Sequence, residues 1–187
     1  MTTKAKRTTI QLGDRILDGF MLPDGSYRLS QTQAAEMVGK GEQNTRDFLR
    51  SKALKSLLGG DQIPVKIERI TVDTEGSYRG NPNINALPLN VVSVYWLYQA
   101  IRGNKQAVPL CVALMTESLE RRFDEAFGIE RSESERNQRL QSQLNEMWTV
   151  LQDVGEGLAL DDEIRRERDY LLEEFKRIGH DPYAPPT

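Results

Sequence analysis

The clearest periodicity lies in "SQTQAAEMVGKGEQNTRDFLRS", Ser30 to Ser51, where apolar residues recur at helical spacing on both sides of a glycine. Ala34, Ala35, Met37 and Val38 make the inner face of a first helix. Ser30 is placed to N-cap it, because a serine hydroxyl accepts from the orphan amides of a first turn. Gly39 falls where the chain must leave that helix, which suits a left-handed C-cap. A second helix is expected from about Glu42 to Ser51, with Phe48 and Leu49 inward, and Leu54, Leu57 and Leu58 extend the stripe to Gly59-Gly60. Upstream, "FMLPDGSYRL" sets two apolar, aromatic-containing runs around Pro23-Asp24-Gly25, which predicts a β-hairpin. "TTIQLGDRIL", before it, is β-branched and apolar but interrupted by glycine.

Downstream, "IPVKIERITVDTEGSYRGNPNINALPL" predicts a strand, a loop and a short return. Pro88 suits the first turn of a helix through "LNVVSVYWLYQAIRG", whose Val91, Val94, Tyr95, Tyr98 and Ile101 keep helical spacing until Gly103. Another helix, roughly Lys105 to Phe127, carries Val108, Cys111, Val112, Met115, Leu119 and Phe123, and Gly128 closes it. Pro109 starts or kinks this helix. Beyond Gly128 the chain turns polar and glutamine-rich, with Leu140, Leu144, Met147, Leu151 and Val154 alternating at spacings of four and three. That is an a/d seam, expected to serve oligomerisation. Gly155-Glu156-Gly157 is expected to break it before a last helix bearing Ile164, Leu171, Phe175 and Ile178.

The fold class expected is α+β: small β-hairpins, a helix-turn-helix-like pair and further helices, then a C-terminal helical hairpin or coiled coil. The organisation expected is a basic flexible arm over 1–8, an α+β domain over 9–128, a helical segment for oligomerisation or partner binding over 129–180, and a tail over 181–187.

Composition narrows the function classes. A hydrophobic fraction of 38% with 28% charged residues suits a modest core with a solvated extension. No run approaches the ~18 apolar residues that span a membrane, and "MTTKAKRTT" has no apolar segment behind it to make a signal peptide. Cys111 is the single cysteine, which excludes an internal disulfide and fits a reducing, cytoplasmic setting. With one histidine, His180, the usual zinc sites and a Ser-His-Asp triad lack their parts, and "GKGEQNT" lacks the spacing of a phosphate-binding loop. Neither metal nor cofactor is expected. The net charge of −3 hides a gradient: residues 1–60 sum to +4, 61–128 to −1 and 129–187 to −6. Such a gradient is what a chain with one anion-facing end would show, and it also arises by chance.

The candidate chemistry sits at that basic end. The exposed side of the second helix offers Gln43, Asn44, Arg46 and Arg50, with Lys40 at its start and Lys52 and Lys55 beyond. Asparagine and glutamine can read adenine edges, while arginine reads guanine or holds phosphate. Arg28 is a further phosphate contact, Arg79 in "GSYRGNPNIN" a loop contact, and Lys4, Lys6 and Arg7 an arm suited to a minor groove or simply a loose tail. The plain alternative is a helical hairpin with ordinary polar surface. Tyr95, Trp96 and Tyr98 at helical spacing are expected in the core. Glu174-Phe175-Lys176 matches a nuclease fragment but lies in a charged helical stretch with no strand to carry it, and Asp161–Arg165 and Asp162–Arg166 are i,i+4 pairs that steady a helix.

The order of these parts resembles the KilA-N/Bro-N group of phage and large-virus DNA-binding domains. The resemblance covers roughly residues 18–127: the turn-flanked strands, "DGSYRLSQTQAAEMVGKGEQNTRDFLRS" with its Phe48-Leu49-Arg50 step, a strand pair, and the aromatic helix "VVSVYWLYQAIRGN". The chain departs from the family in lacking a tryptophan at the end of the second helix and in its polar loop at 76–86. The resemblance implies a DNA-binding regulatory protein of phage or mobile-element type, often an antirepressor, whose 42–51 helix meets double-stranded DNA. A homodimer, with a further protein partner on 129–180, is the expected assembly. Two other classes compete: an inhibitor or adaptor acting through the acidic C-terminal helices, and a metal-dependent nuclease.

Overall fold

The computed structural model describes residues 3–57, 68–72 and 83–177. Arg79, Ile178, the 181–187 tail and most of the loop at 76–86 lie outside the described residues. The chain is α+β, with strands β1 (Thr3–Leu12), β2 (Arg15–Met21), β3 (Tyr27–Ser30), β4 (Glu68–Val72) and β5 (Asn83–Pro88). The helices are α1 (Gln31–Glu36), α2 (Glu42–Arg50), α3 (Lys52–Leu57), α4 (Leu89–Ile101), α5 (Ala107–Phe127) and α6 (Glu133–Arg177). Contacts divide it into two compact units, Met1–Glu146 and Met147–Thr187.

The strands close into a small barrel in the order β1-β2-β3-β5-β4. β2 and β3 pair antiparallel across the Pro23-Asp24-Gly25 turn, and β4 and β5 pair antiparallel with Glu68 opposite Ala86. Side-chain alternation then decides what lies inside. Phe20, Leu22, Ile70, Val72, Ala5 and Ala86 fill the barrel interior. Leu17, Leu29 and Leu87 instead join α1, α2, α4 and α5 in a second core built around Val91, Val92, Tyr95 and Trp96.

Two expectations change here. Residues 3–8 are not a free arm: Thr3–Ala5 pair parallel with Ile70–Val72, and Lys6–Leu12 pair antiparallel with β2. Arg7 is also bound to Asp18 at 2.7 Å. The segment reads as polar because only one of its faces turns inward, with Ala5 as the buried residue. The helix expected to end at Gly155-Glu156-Gly157 continues through it, since α6 runs from Glu133 to Arg177. A glycine costs a helix interior only about 1 kcal/mol against alanine, so strong helix formers on both sides carry the pair.

The first compact unit extends past Gly128 because the start of α6 docks on it. Asn137 brackets the β1–β2 turn, its Nδ2 donating to the Gly13 carbonyl at 2.7 Å and its Oδ1 accepting from the Gly13 amide at 2.8 Å. Gln141 Oε1 accepts from the Asp14 amide at 2.7 Å. Along α5, Glu120 pairs with Arg139 while Asp124, 3% exposed, is held by both Arg131 and Arg136. Index falls on one helix as it rises on the other, so α5 and α6 run antiparallel about Gly128. The hydrogen bond from Arg139 holds the Glu120 carboxyl below the usual carboxylate range. This tie therefore stabilises fully above that range and is lost as pH falls through it to the lowered value.

Gly13 has φ +64°, and a Cβ there would lie 2.3 Å from Gln141 Oε1 and 3.1 Å from Leu144 Cδ1. Gly25 has φ +80° but faces open space. Gly25→Ala is expected to show the backbone strain alone, about 1–3 kcal/mol, and Gly13→Ala a larger loss because the Gln141 side chain must also swing away and give up its bond to the Asp14 amide. Thermal unfolding of the two variants checks the difference; equal losses would mean that α6 is not seated on this turn.

Candidate nucleic-acid interface

α1 and α2 are held from behind by α4. Ser30 Oγ accepts from the Gln33 amide at 3.0 Å and starts α1, whose Ala34 and Ala35 are fully buried. Gly39 takes φ +65° between the two helices. The Asn104 side chain donates to the Val38 carbonyl at 2.9 Å, which ties this turn to the α4–α5 connection. On α2, Thr45 and Phe48 are buried, and the Phe48 ring packs 5.3 Å from Tyr95 and 4.9 Å from Tyr98.

Three polar ends on α4 complete the attachment. Trp96 Nε1 donates to the Ala34 carbonyl at 2.8 Å. The Tyr95 hydroxyl and Gln99 Nε2 both donate to Asn44 Oδ1, each at 2.8 Å. Burial pushes the Tyr95 hydroxyl above its ordinary value, so it stays protonated and able to donate.

This geometry sorts the sequence candidates. Asn44 is exposed on α2, and its Oδ1, the atom that bidentate adenine recognition uses, accepts here from Tyr95 and Gln99 of α4. Gln43, Arg46 and Arg50 are exposed on α2, as are Lys40, Lys52 and Lys55 around it. Arg46 is folded back on Glu42 at 2.6 Å, and Gln43 donates to Asp47 at 2.8 Å. Exposed i,i+4 ties of this kind are worth about 0.3–0.5 kcal/mol, so they open readily for a phosphate or a base edge. Across 40–57 five basic residues stand against two acidic ones. Arg28 is drawn to its own strand: Nη1 donates to Ser26 Oγ and to the Tyr27 carbonyl, and Nε is buried without a partner.

One basic residue escaped the sequence reading. A cleft of about 540 Å³ separates α2 from the end of α4, and both Lys40 and Arg102 line it. Arg102 donates to the Tyr98 hydroxyl at 2.7 Å, and its guanidinium lies 5.6 Å from the centre of that ring. In the sequence it is an ordinary charge before a helix-stopping glycine. Only the return of α4 beside α2 gives it a role.

The C-terminal seam is divided. Leu140 is 1% exposed and Leu144 packs on the helical core, so the start of the seam serves its own chain. Met147 and Leu151 are half-buried, and the Val154 side chain lies outside the described residues. Among the described residues, no three His, Cys, Asp or Glu side chains gather where they could hold a metal ion, and no helix is long and apolar enough to cross a membrane.

Asn44→Ala is expected to lower stability by about 1–3 kcal/mol, because the Tyr95 hydroxyl and Gln99 amide would lose their acceptor. Gln43→Ala, one position away and bonded to Asp47 of its own helix, should fall within about 0.5 kcal/mol of the parent. Denaturant unfolding measures both, and equal effects would contradict the role of Asn44 as acceptor for α4. No family model, curated protein or solved structure matches the chain.

Proposed function

We propose that the chain is a DNA-binding regulatory protein that lays the outer face of α2 on duplex DNA. The observation that carries this reading is the contrast between the two sides of that helix. Its inner side is fixed by the buried Thr45 and Phe48 against α4, and the exposed Asn44 at its edge is bonded to Tyr95, while its outer side keeps Gln43, Arg46 and Arg50 exposed among Lys40, Lys52 and Lys55. A rigid backbone with long basic side chains at its edge is what positioning on phosphates requires. Lys40, Lys52, Lys55 and Arg102 would neutralise phosphates, and Arg46, Arg50 and Gln43 would approach the groove. The resemblance to KilA-N/Bro-N domains supports the same orientation and a role of the phage antirepressor kind.

Glu42 tunes this face. It holds Arg46 at rest and places a negative charge where phosphates would come. Removing the charge should therefore favour DNA.

Fluorescence anisotropy of the full chain with random duplex DNA at two salt concentrations tests the proposal. Binding is expected to weaken steeply with salt. The Arg46→Ala/Arg50→Ala variant should bind at least tenfold more weakly, and Lys52→Ala/Lys55→Ala should lower the salt slope by about 2, since each lost phosphate contact removes about 0.9. Glu42→Gln should bind a few-fold more tightly. An arginine double variant that binds like the parent would remove α2 from the interface, and no binding at low salt would leave α1 and α2 as core elements.

A further inference from the structure

α5 has two apolar faces, and only one of them is covered. The inner face carries Ala107, Leu110 and Ala113, all buried, with Cys111 and Leu114 packed on the helical core. On the far side Val112, Met115, Leu119, Phe123 and Phe127 are 39%, 55%, 57%, 62% and 74% exposed. Steps of four residues from Met115 to Phe127 align these side chains in one ridge. Phe123 and Phe127 stack on each other with ring centroids 6.4 Å apart, which keeps the ridge continuous. The charged residues Glu120 and Asp124 turn away from it to meet Arg139, Arg131 and Arg136 of α6.

We infer that this face is the contact between two copies of the chain, joined across a two-fold axis through α5. Two arguments select a second copy as the occupant. The first is area. Taking ~200 Å² for a large side chain, the five exposed fractions amount to on the order of 500 Å² of apolar surface per copy. Two copies meeting there would bury about 1,000 Å², the least that a specific interface needs. The second is shape. A ridge built on four-residue steps fits the groove beside the same ridge on another helix, at a crossing near −50°. A two-fold contact brings identical patches together, so one helix supplies both ridge and groove.

This surface is not the Leu140–Val154 seam, whose first two leucines are already covered within the chain. It also stands apart from the DNA reading, because no residue of α2 takes part. If both hold, pairing would present two basic faces to one duplex and raise affinity by linking their contacts.

Sedimentation equilibrium of the full chain without DNA, from low micromolar to ~100 μM, tests the inference. The parent should have twice the mass of one chain at the upper end. Leu119→Glu/Phe123→Glu should have the mass of a single chain throughout. Both positions are solvent-facing, so circular dichroism and the melting temperature should stay near those of the parent, and the conservative Leu119→Met/Phe123→Leu variant should keep the pairing. A parent that is single-chain at every concentration overturns the inference. So does a Glu variant that still pairs, which would move the contact to another surface.

Discussion

A helix at the centre of a core must find partners for whatever polar groups it carries, and α4 carries three of them in two turns. The tyrosine hydroxyl, the indole nitrogen and the glutamine amide belong to the buried Tyr95, Trp96 and Gln99, and a buried donor left unmet costs about 1–3 kcal/mol. Their acceptors are Ala34 on α1 and Asn44 on α2. Packing alone would tolerate small rotations of these helices, but directional bonds from a buried platform do not. The pose of α2, and with it the direction of its basic edge, follows from meeting three hydrogen bonds at once.

The rest of the first unit supports that platform from two sides. The barrel turns Leu17, Leu29 and Leu87 toward the helices and keeps a separate interior of its own. The start of α6 reaches back from the other end of the unit to hold the β1–β2 turn and to neutralise Asp124, a buried carboxylate that two arginines share. Fixed interactions thus lie behind α2 and labile surface pairs lie on its face. That division suits a binding element, since the pairs that must open are the weak ones.

Much of this was legible in the sequence, for reasons that can be named. α1, α2, α4 and α5 follow from the spacing of apolar residues, and Ser30, Gly39, Gly103 and Gly128 punctuate them through backbone chemistry that is local. Residues 3–8 misled because a strand of a small barrel has a solvated outer side, so its charges mimic those of a loose arm. The outward side of α5 was not legible for a different reason. Periodicity shows that a face exists but not which face meets the core, and it is Leu110 and Ala113 that go inside while Met115, Leu119 and Phe123 stay exposed. Asn44 could be assigned only once α4 was seen beside it, because a polar residue at a helix edge looks the same whether its partner is a neighbour or solvent.

The closure of the barrel has a kinetic side. Thr3–Ala5 are stitched to Ile70–Val72, 67 positions further along the chain. β4 in turn leans on β5, and β5 on β3. During synthesis the first strand therefore emerges long before its parallel partner. It must wait, paired only with β2, until β4 and β5 have left the ribosome. Loop-closure entropy for so distant a pairing delays this step relative to the local helices. For that interval the side of β1 destined for β4 is an open edge, and Lys4, Lys6 and Arg7 are the kind of charged residues that keep such an edge from recruiting a strand of another chain.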